Sequence, residues 1–216
     1  MKHLVIIMPI DIFESGFRMP ETVYVLASGP KGVEHYHEIP QDAFVITVNK
    51  GIEIPKVNKA IWLCSDGTLP RKDWFNKAAT RLIAANHDLD DRLNPTPVFD
   101  SGVLLAKYPN VPYSFKHGGN LIKNPIGFEY GVLKGGATVS SQAIQLAFLL
   151  GAKHIRLCGV DMSGDKYFDG TDTYNGQTRL SDTWYSIAIF NVLLQLLKNE
   201  KCTVDSISPT ALKFEV

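Results

Sequence analysis

The chain has 216 residues, 45% of them hydrophobic, with 22 basic and 22 acidic side chains and a formal net charge of zero. That length suffices to bury a core, most simply as one α/β nucleotide-binding domain over 1–216. The neutral balance gives no overall basic footprint for nucleic acid or an anionic membrane, a local patch staying open, and points to a small-molecule or protein partner.

No window approaches the ~20 apolar residues of a membrane span. The apolar start is interrupted by Asp11 and Glu14 too soon for a secretory signal, so a cytoplasmic protein is expected. Cys64, Cys158 and Cys202 stand singly, without Cys-x-x-Cys spacing, and read as buried core thiols in a reducing compartment. Homo-oligomerisation stays open.

Short apolar runs rich in Val and Ile recur at 4–8, 23–27, 43–48, 60–64, 81–85, 154–160 and 202–207, bounded by Gly, Pro, Asn or Asp. Several carry no polar residue, as strands buried on both faces should. The expectation is a Rossmann-like fold with a mostly parallel central sheet flanked by helices. The run at 23–27 leads straight into Ser28, Gly29, Pro30, Lys31 and Gly32. A Gly-rich turn after an apolar strand leaves backbone N–H groups free at the edge where α/β sheets hold nucleotides and phosphates.

After the run at 81–85 come Asp88, Asp90 and Asp91, an Asp-x-Asp spacing. It suits either a divalent ion, Mg or Mn, that bridges nucleotide phosphates, or a solvated loop. His87 and His117 could add ligands to such an ion, but they lack zinc-site spacing. The stretch 88–134 is rich in Pro, Asn and Gly and is expected to carry loops and short helices over the active face. His117 lies there beside Gly118 and Gly119, placed either for acid/base work or simply on the surface.

Next, Ser140 or Ser141 suits the N-cap of a helix over 140–150, and Gly151 suits its end. The following strand delivers Asp161 to the carboxyl edge of the sheet, so the loops after Ala27 and Val160 are expected to face one crevice. His154 opens this strand and reads as a satisfied structural residue. The Gly-rich stretch 162–180 is where a substrate lid belongs. A final helix over about 181–198 is expected to bury a stripe of Trp184, Ile187, Ala188, Val192, Leu193 and Leu196.

Neither a Walker lysine pattern nor the three-glycine dinucleotide pattern is present, and Ser65, Ser101 and Ser140 lack a Gly-x-Ser-x-Gly elbow. The acid/base candidates left by residue type are His117, His154, Asp161 and Asp169.

Four segments together carry a resemblance: Ser28-Gly29-Pro30 after its strand, Val45-Ile46-Thr47-Val48-Asn49, Leu63-Cys64-Ser65-Asp66, and the stretch from Thr138 to Asp161. In this order they resemble the bacterial lipooligosaccharide sialyltransferase family and its relatives. Those relatives include flagellin-modifying motility accessory factors, archaeal 6-hydroxymethylpterin pyrophosphokinase and small phage proteins of unknown function.

The resemblance implies a glycosyltransferase-like fold that takes a CMP-sugar donor and a surface-glycan acceptor, without a metal cofactor. It implies nucleotide contacts at Ser28, Gly29, Pro30 and Asn49, and sugar or phosphate contacts at Thr138, Ser140 and Ser141. Asp66 joins the nucleotide candidates, Lys31, where the relatives usually carry serine, would add positive charge near the phosphate, and Asp161 would bind sugar hydroxyls or order the lid. Tyr167 matches the tyrosine that stabilises the departing phosphate. Such hydroxyls and a helix start are the right chemical types for a developing phosphate dianion. The family's lid histidine has no counterpart, because no histidine follows His154, which leaves His117, Asp169 or Asp172 as candidate bases. Two alternatives stand beside this reading: an ATP- and Mg-dependent pyrophosphokinase using Asp66, Asp88 or Asp161, and a non-catalytic nucleotide-binding or assembly module.

Overall fold

A computed structural model describes residues 10–64, 81–86, 113–117, 126–134, 138–162, 166–171 and 180–214. Nine strands occur among them: β1 (Ile10–Asp11), β2 (Thr22–Leu26), β3 (Val45–Val48), β4 (Ile61–Cys64), β5 (Arg81–Asn86), β6 (Tyr113–His117), β7 (Val132–Leu133), β8 (His154–Cys158) and β9 (Thr203–Ser206). Two α-helices accompany them, α1 (Val139–Leu149) and α2 (Leu180–Asn199). 3-10 turns run over Pro30–Glu38 and Asn49–Glu53.

The strands form one sheet in the order β1-β6-β5-β4-β3-β2-β8-β9, with β7 also pairing β6. Every ladder is parallel. Val25 of β2 stands opposite Ile46 of β3 on one side and Leu157 of β8 on the other. The order therefore turns back at β2: β3 to β6 build away on one flank, and the chain returns through α1 to place β8 on the other. In Rossmann-like folds the carboxyl edge at such a turning point, here beside β2 and β8, is where ligands bind.

The sequence builds this sheet by burial on both faces. Along β2, Val23 and Val25 belong to the larger core with Ala143, Leu146, Ala147, Leu193 and Leu197 of the helices. Tyr24 and Leu26 face the opposite layer, where Ile39 and Ile54 from the 3-10 segments cover them with Val45 and Cys158. This is the two-residue alternation of a strand. Helix α1 is buried along Ser140–Ala147, as a helix placed between a sheet and a second helix must be.

Several expectations change here. Within 88–134, read as loops and short helices, 113–117 and 132–133 are strands that extend the sheet past β5. Flanking Pro112 and Gly118 disguise the first, and the ladder with β5 supplies what its local sequence lacks. The run expected at 154–160 ends at Cys158, because Gly159 takes φ 70, a left-handed value that breaks a strand.

The buried stripe of α2 also differs. Ser186, Ile189, Phe190, Leu193, Leu194 and Leu197 face inward, whereas Trp184 is 73% exposed and Val192 50%. Both stripes have helical spacing, so periodicity alone did not choose between them. Cys158 and Cys202 are buried, and burial raises their thiols to about 12 and about 11. The expected strand at 4–8 lies outside the described residues, as does the Cys64 side chain. No helix among the described residues is long and apolar enough to cross a membrane.

Candidate functional site at the carboxyl edge

The two turns expected to face one crevice are joined directly. Gly29 N donates to Gly159 O at 2.9 Å, and Lys31 N donates to Asp161 Oδ2 at 2.6 Å. A Cβ on Gly29 would lie 2.4 Å from Gly159 O and 2.6 Å from Asp161 Cγ, and one on Gly32 would meet the Gly159 backbone at 2.7 Å. These glycines are required because the β2 and β8 turns touch backbone to backbone.

That contact corrects one premise. The Gly-rich turn does not leave its donors free, because Gly29 and Lys31 bond across to the β8 turn, Gly32 N bonds to Gly29 O at 3.2 Å, and Pro30 has no N–H. The buried Asp161 carboxylate, 4% exposed, already occupies the start of the Pro30–Glu38 segment. Burial pushes the Asp161 pKa up, while the Lys31 hydrogen bond and charge oppose the rise.

Asn49 closes β3 with φ 45, a left-handed conformation that Asn tolerates better than most residues. Its main-chain oxygen accepts from Trp62 Nε1 at 2.9 Å. Thr138 is the N-cap of α1, extended at φ −146 and ψ 159, and its side chain makes no capping bond. Ser140 and Ser141, expected as caps, lie inside the helix. Ser141 Oγ donates back to Thr138 O at 2.7 Å, so the first turn is tied by a serine from within.

Among the described residues four side-chain oxygens are buried without a hydrogen-bond partner: Asn49 Oδ1, Thr138 Oγ1, Gln142 Oε1 and Asp161 Oδ1. All four belong to residues at the ends of β3 and β8 or in the first turn of α1, whose N-terminus meets the same sheet edge. Buried polar atoms in native proteins are nearly always paired, to protein or to ordered water, so these four mark where water or a ligand would bond, the Thr138 hydroxyl as donor or acceptor and the other three oxygens as acceptors. Gln142 was not among the sequence candidates, although it directly follows Ser140-Ser141.

The segment 166–171 passes over this edge as a strap. Phe168 N donates to Ser28 O at 2.8 Å, and the Phe168 ring meets Tyr36 edge-on at 6.4 Å. Lys50 Nζ donates to Asp169 Oδ2 at 2.6 Å and stands 5.1 Å from the Tyr167 ring centroid. Lys50 was also missed, though it follows Asn49 in the chain. Hydrogen bonds from Lys50 and Thr171 hold the Asp169 carboxyl down at about 2. At neutral pH so weak a base takes a proton poorly.

His117 ends β6, four strand spacings from β2 in the sheet order. At ~4.8 Å per spacing that is about 19 Å, too far to share a substrate atom with Ser28 and Asp161. The arrangement therefore does not bring His117 to the crevice, and its side chain lies outside the described residues. Asp66, His87, Asp88, Asp90, Asp91 and Asp172 also lie outside them. His154 sits on the surface, its Nδ1 2.6 Å from Thr203 Oγ1, at the opposite end of β8 from Asp161.

Two concavities lie elsewhere. One of about 540 Å³ separates α2 from β9 beside Lys198, Lys201 and Phe214, and one of about 280 Å³ lies over Tyr24, Arg156 and Asp205. None of the four unpaired oxygens lines either, so the carboxyl edge is the stronger candidate. Among the described residues no cluster of three His, Cys, Asp or Glu side chains is placed to hold a metal ion.

No protein-family model matches the chain, and no curated protein matches it. Among solved structures it is similar to an alpha-2,3-sialyltransferase from Campylobacter jejuni in apo form, with 14% identity, a TM-score of 0.48, and 96% of this chain and 83% of that chain covered. A Campylobacter jejuni sialyltransferase in complex with the substrate analogue CMP-3FNeuAc shows 14% identity and a TM-score of 0.40, with 88% and 82% covered. A sialyltransferase in complex with a trisaccharide acceptor and CMP shows 15% identity and a TM-score of 0.40, with 87% and 81% covered.

Proposed function

We propose that the carboxyl-edge crevice binds a CMP-sugar and that the protein transfers the sugar to a hydroxyl of a surface glycan without a metal ion. The observation that carries this reading is the group of unpaired acceptors Asn49 Oδ1, Gln142 Oε1 and Asp161 Oδ1 beside the start of α1. Acceptors call for a ligand rich in donors, and a nucleoside joined to a sugar offers an exocyclic amino group and many hydroxyls. The phosphodiester of such a molecule has no proton to donate at neutral pH. Its charge suits instead the N-terminus of α1, where Thr138 and Ser140 lie, and the nearby Lys31.

Transfer forms a bond from the acceptor oxygen to the anomeric carbon and breaks the bond from that carbon to the phosphate oxygen. CMP leaves with the electron pair, and the acceptor proton passes to a base. Asp161 is the described carboxylate best suited to that role, being buried, raised in pKa and unpaired at Oδ1. Tyr167, on the strap beside Lys50, is the residue assigned to the leaving phosphate. The Ser28-Gly29-Pro30 turn shapes the floor through its backbone contact with Gly159.

Calorimetric titration with CMP in EDTA tests the reading. CMP is expected to bind, and Asn49→Gly, which keeps the left-handed backbone but removes the amide, is expected to weaken it about tenfold. Equal affinity in the variant would move the site away from β3. ATP binding that requires magnesium would move the chemistry to the aspartates and to phosphoryl transfer, and failure of every nucleotide to bind would favour a non-catalytic module.

A further inference from the structure

Lys50 carries an ammonium whose anion is supplied by the strap. Its side chain is 14% exposed, and it donates to Asp169 Oδ2 at 2.6 Å and to Thr171 Oγ1 at 2.7 Å. Asp169 is prepared for this contact, because its Oδ1 accepts from Thr171 N at 3.1 Å and from Thr171 Oγ1 at 2.7 Å. One residue earlier, Phe168 N is bonded to Ser28 O, so the carboxylate is brought to the crevice by the same strap that lies across it.

The two partners differ in how they are anchored. Lys50 belongs to the Asn49–Glu53 turn, which packs on the ends of β3 and β4. Asp169 sits on a surface segment and is 35% exposed. An ammonium with only 14% of its side chain exposed loses more by standing unpaired than the 35%-exposed carboxylate, which can be given back to water. Carboxylate and phosphate oxygens are equivalent acceptors for an ammonium, and a phosphate dianion brings more charge.

On the reading that this crevice binds a nucleotide phosphate, we propose that Lys50 is a ligand of that phosphate and that Asp169 occupies its place as an internal anion. Phosphate binding then displaces Asp169 and loosens the strap, so the empty site is held shut by its own carboxylate.

The test compares CMP with cytidine, which lacks the phosphate, on wild-type protein, Asp169→Asn and Lys50→Met, with unfolding midpoints measured for each. Removing the competing charge is expected to tighten CMP about fivefold, and removing the ammonium to weaken it about tenfold, with cytidine changing less than about twofold in either. CMP affinity equal or weaker in a folded Asp169→Asn overturns the proposal, as does a Lys50→Met loss shared equally by cytidine. Lys50→Gln replaces Lys50→Met if the latter fails to fold. Equal CMP affinity in all three proteins removes this inference alone, whereas no CMP binding to any of them removes the nucleotide reading and this inference with it.

Discussion

The Trp62 indole, fully buried in β4, donates to the main-chain oxygen of Asn49 at 2.9 Å. A core side chain thus holds the left-handed turn that presents Asn49 and Lys50 at the carboxyl edge. Trp62→Phe keeps an aromatic ring but leaves the Asn49 carbonyl without this donor. The expected cost is about 1–3 kcal/mol of stability, accompanied by weaker CMP binding in the folded protein. Urea unfolding and calorimetry on the same preparation check both, and a stability loss with unchanged CMP affinity would separate Trp62 from the site.

Asp161 gives the protein a pH dependence opposite to that of an ordinary surface carboxylate. Its pKa is raised above the usual 3.8, chiefly by burial. The folded state therefore keeps the proton over a range where the unfolded chain has released it. Stability from this group is present below the unfolded pKa and declines as pH rises through the folded one. Asp161→Asn preserves an acceptor for Lys31 N and abolishes the titration. Urea midpoints from about pH 3 to about pH 7 should show wild type losing stability relative to the variant. A wild type that gains instead would mean that Lys31 outweighs burial.

The two faces of α2 make a direct comparison. Leu193 is fully buried and belongs to the main core, whereas Trp184 is 73% exposed. Leu193→Ala is expected to cost about 2–5 kcal/mol, and Trp184→Ala to stay within about 0.5 kcal/mol despite removing the larger side chain. Thermal or urea unfolding ranks them, and the reverse order would show that the opposite face of the helix is the one covered.

The chain's own sequence makes much of the sheet legible. β2, β3 and β4 are short apolar runs buried on both faces, β8 buries Ile155, Leu157 and Cys158, and Gly29 and Asp161 each mark a turn at the carboxyl edge, which the Gly29–Gly159 bond joins. β6 was hidden because Tyr113–His117 has no apolar run of its own and owes its form to a ladder with β5. The turn donors were misjudged for a related reason. Whether the N–H groups of Gly29 and Lys31 are free depends on residues about 130 positions later in the chain, the separation of the Lys31–Asp161 pair.

Local pattern determined the α/β class, the central strands, the two helices and the edge on which a site belongs, because periodicity and turn chemistry act within a few residues. Tertiary structure alone decided which face of α2 is buried, that His117 stands strands away from the crevice, that Asp161 caps the β2 turn and that Lys50 meets Asp169. Those outcomes depend on which distant groups reach one another once the sheet is assembled, and a hydrogen bond or ion pair across 119 positions has no signature in either local segment.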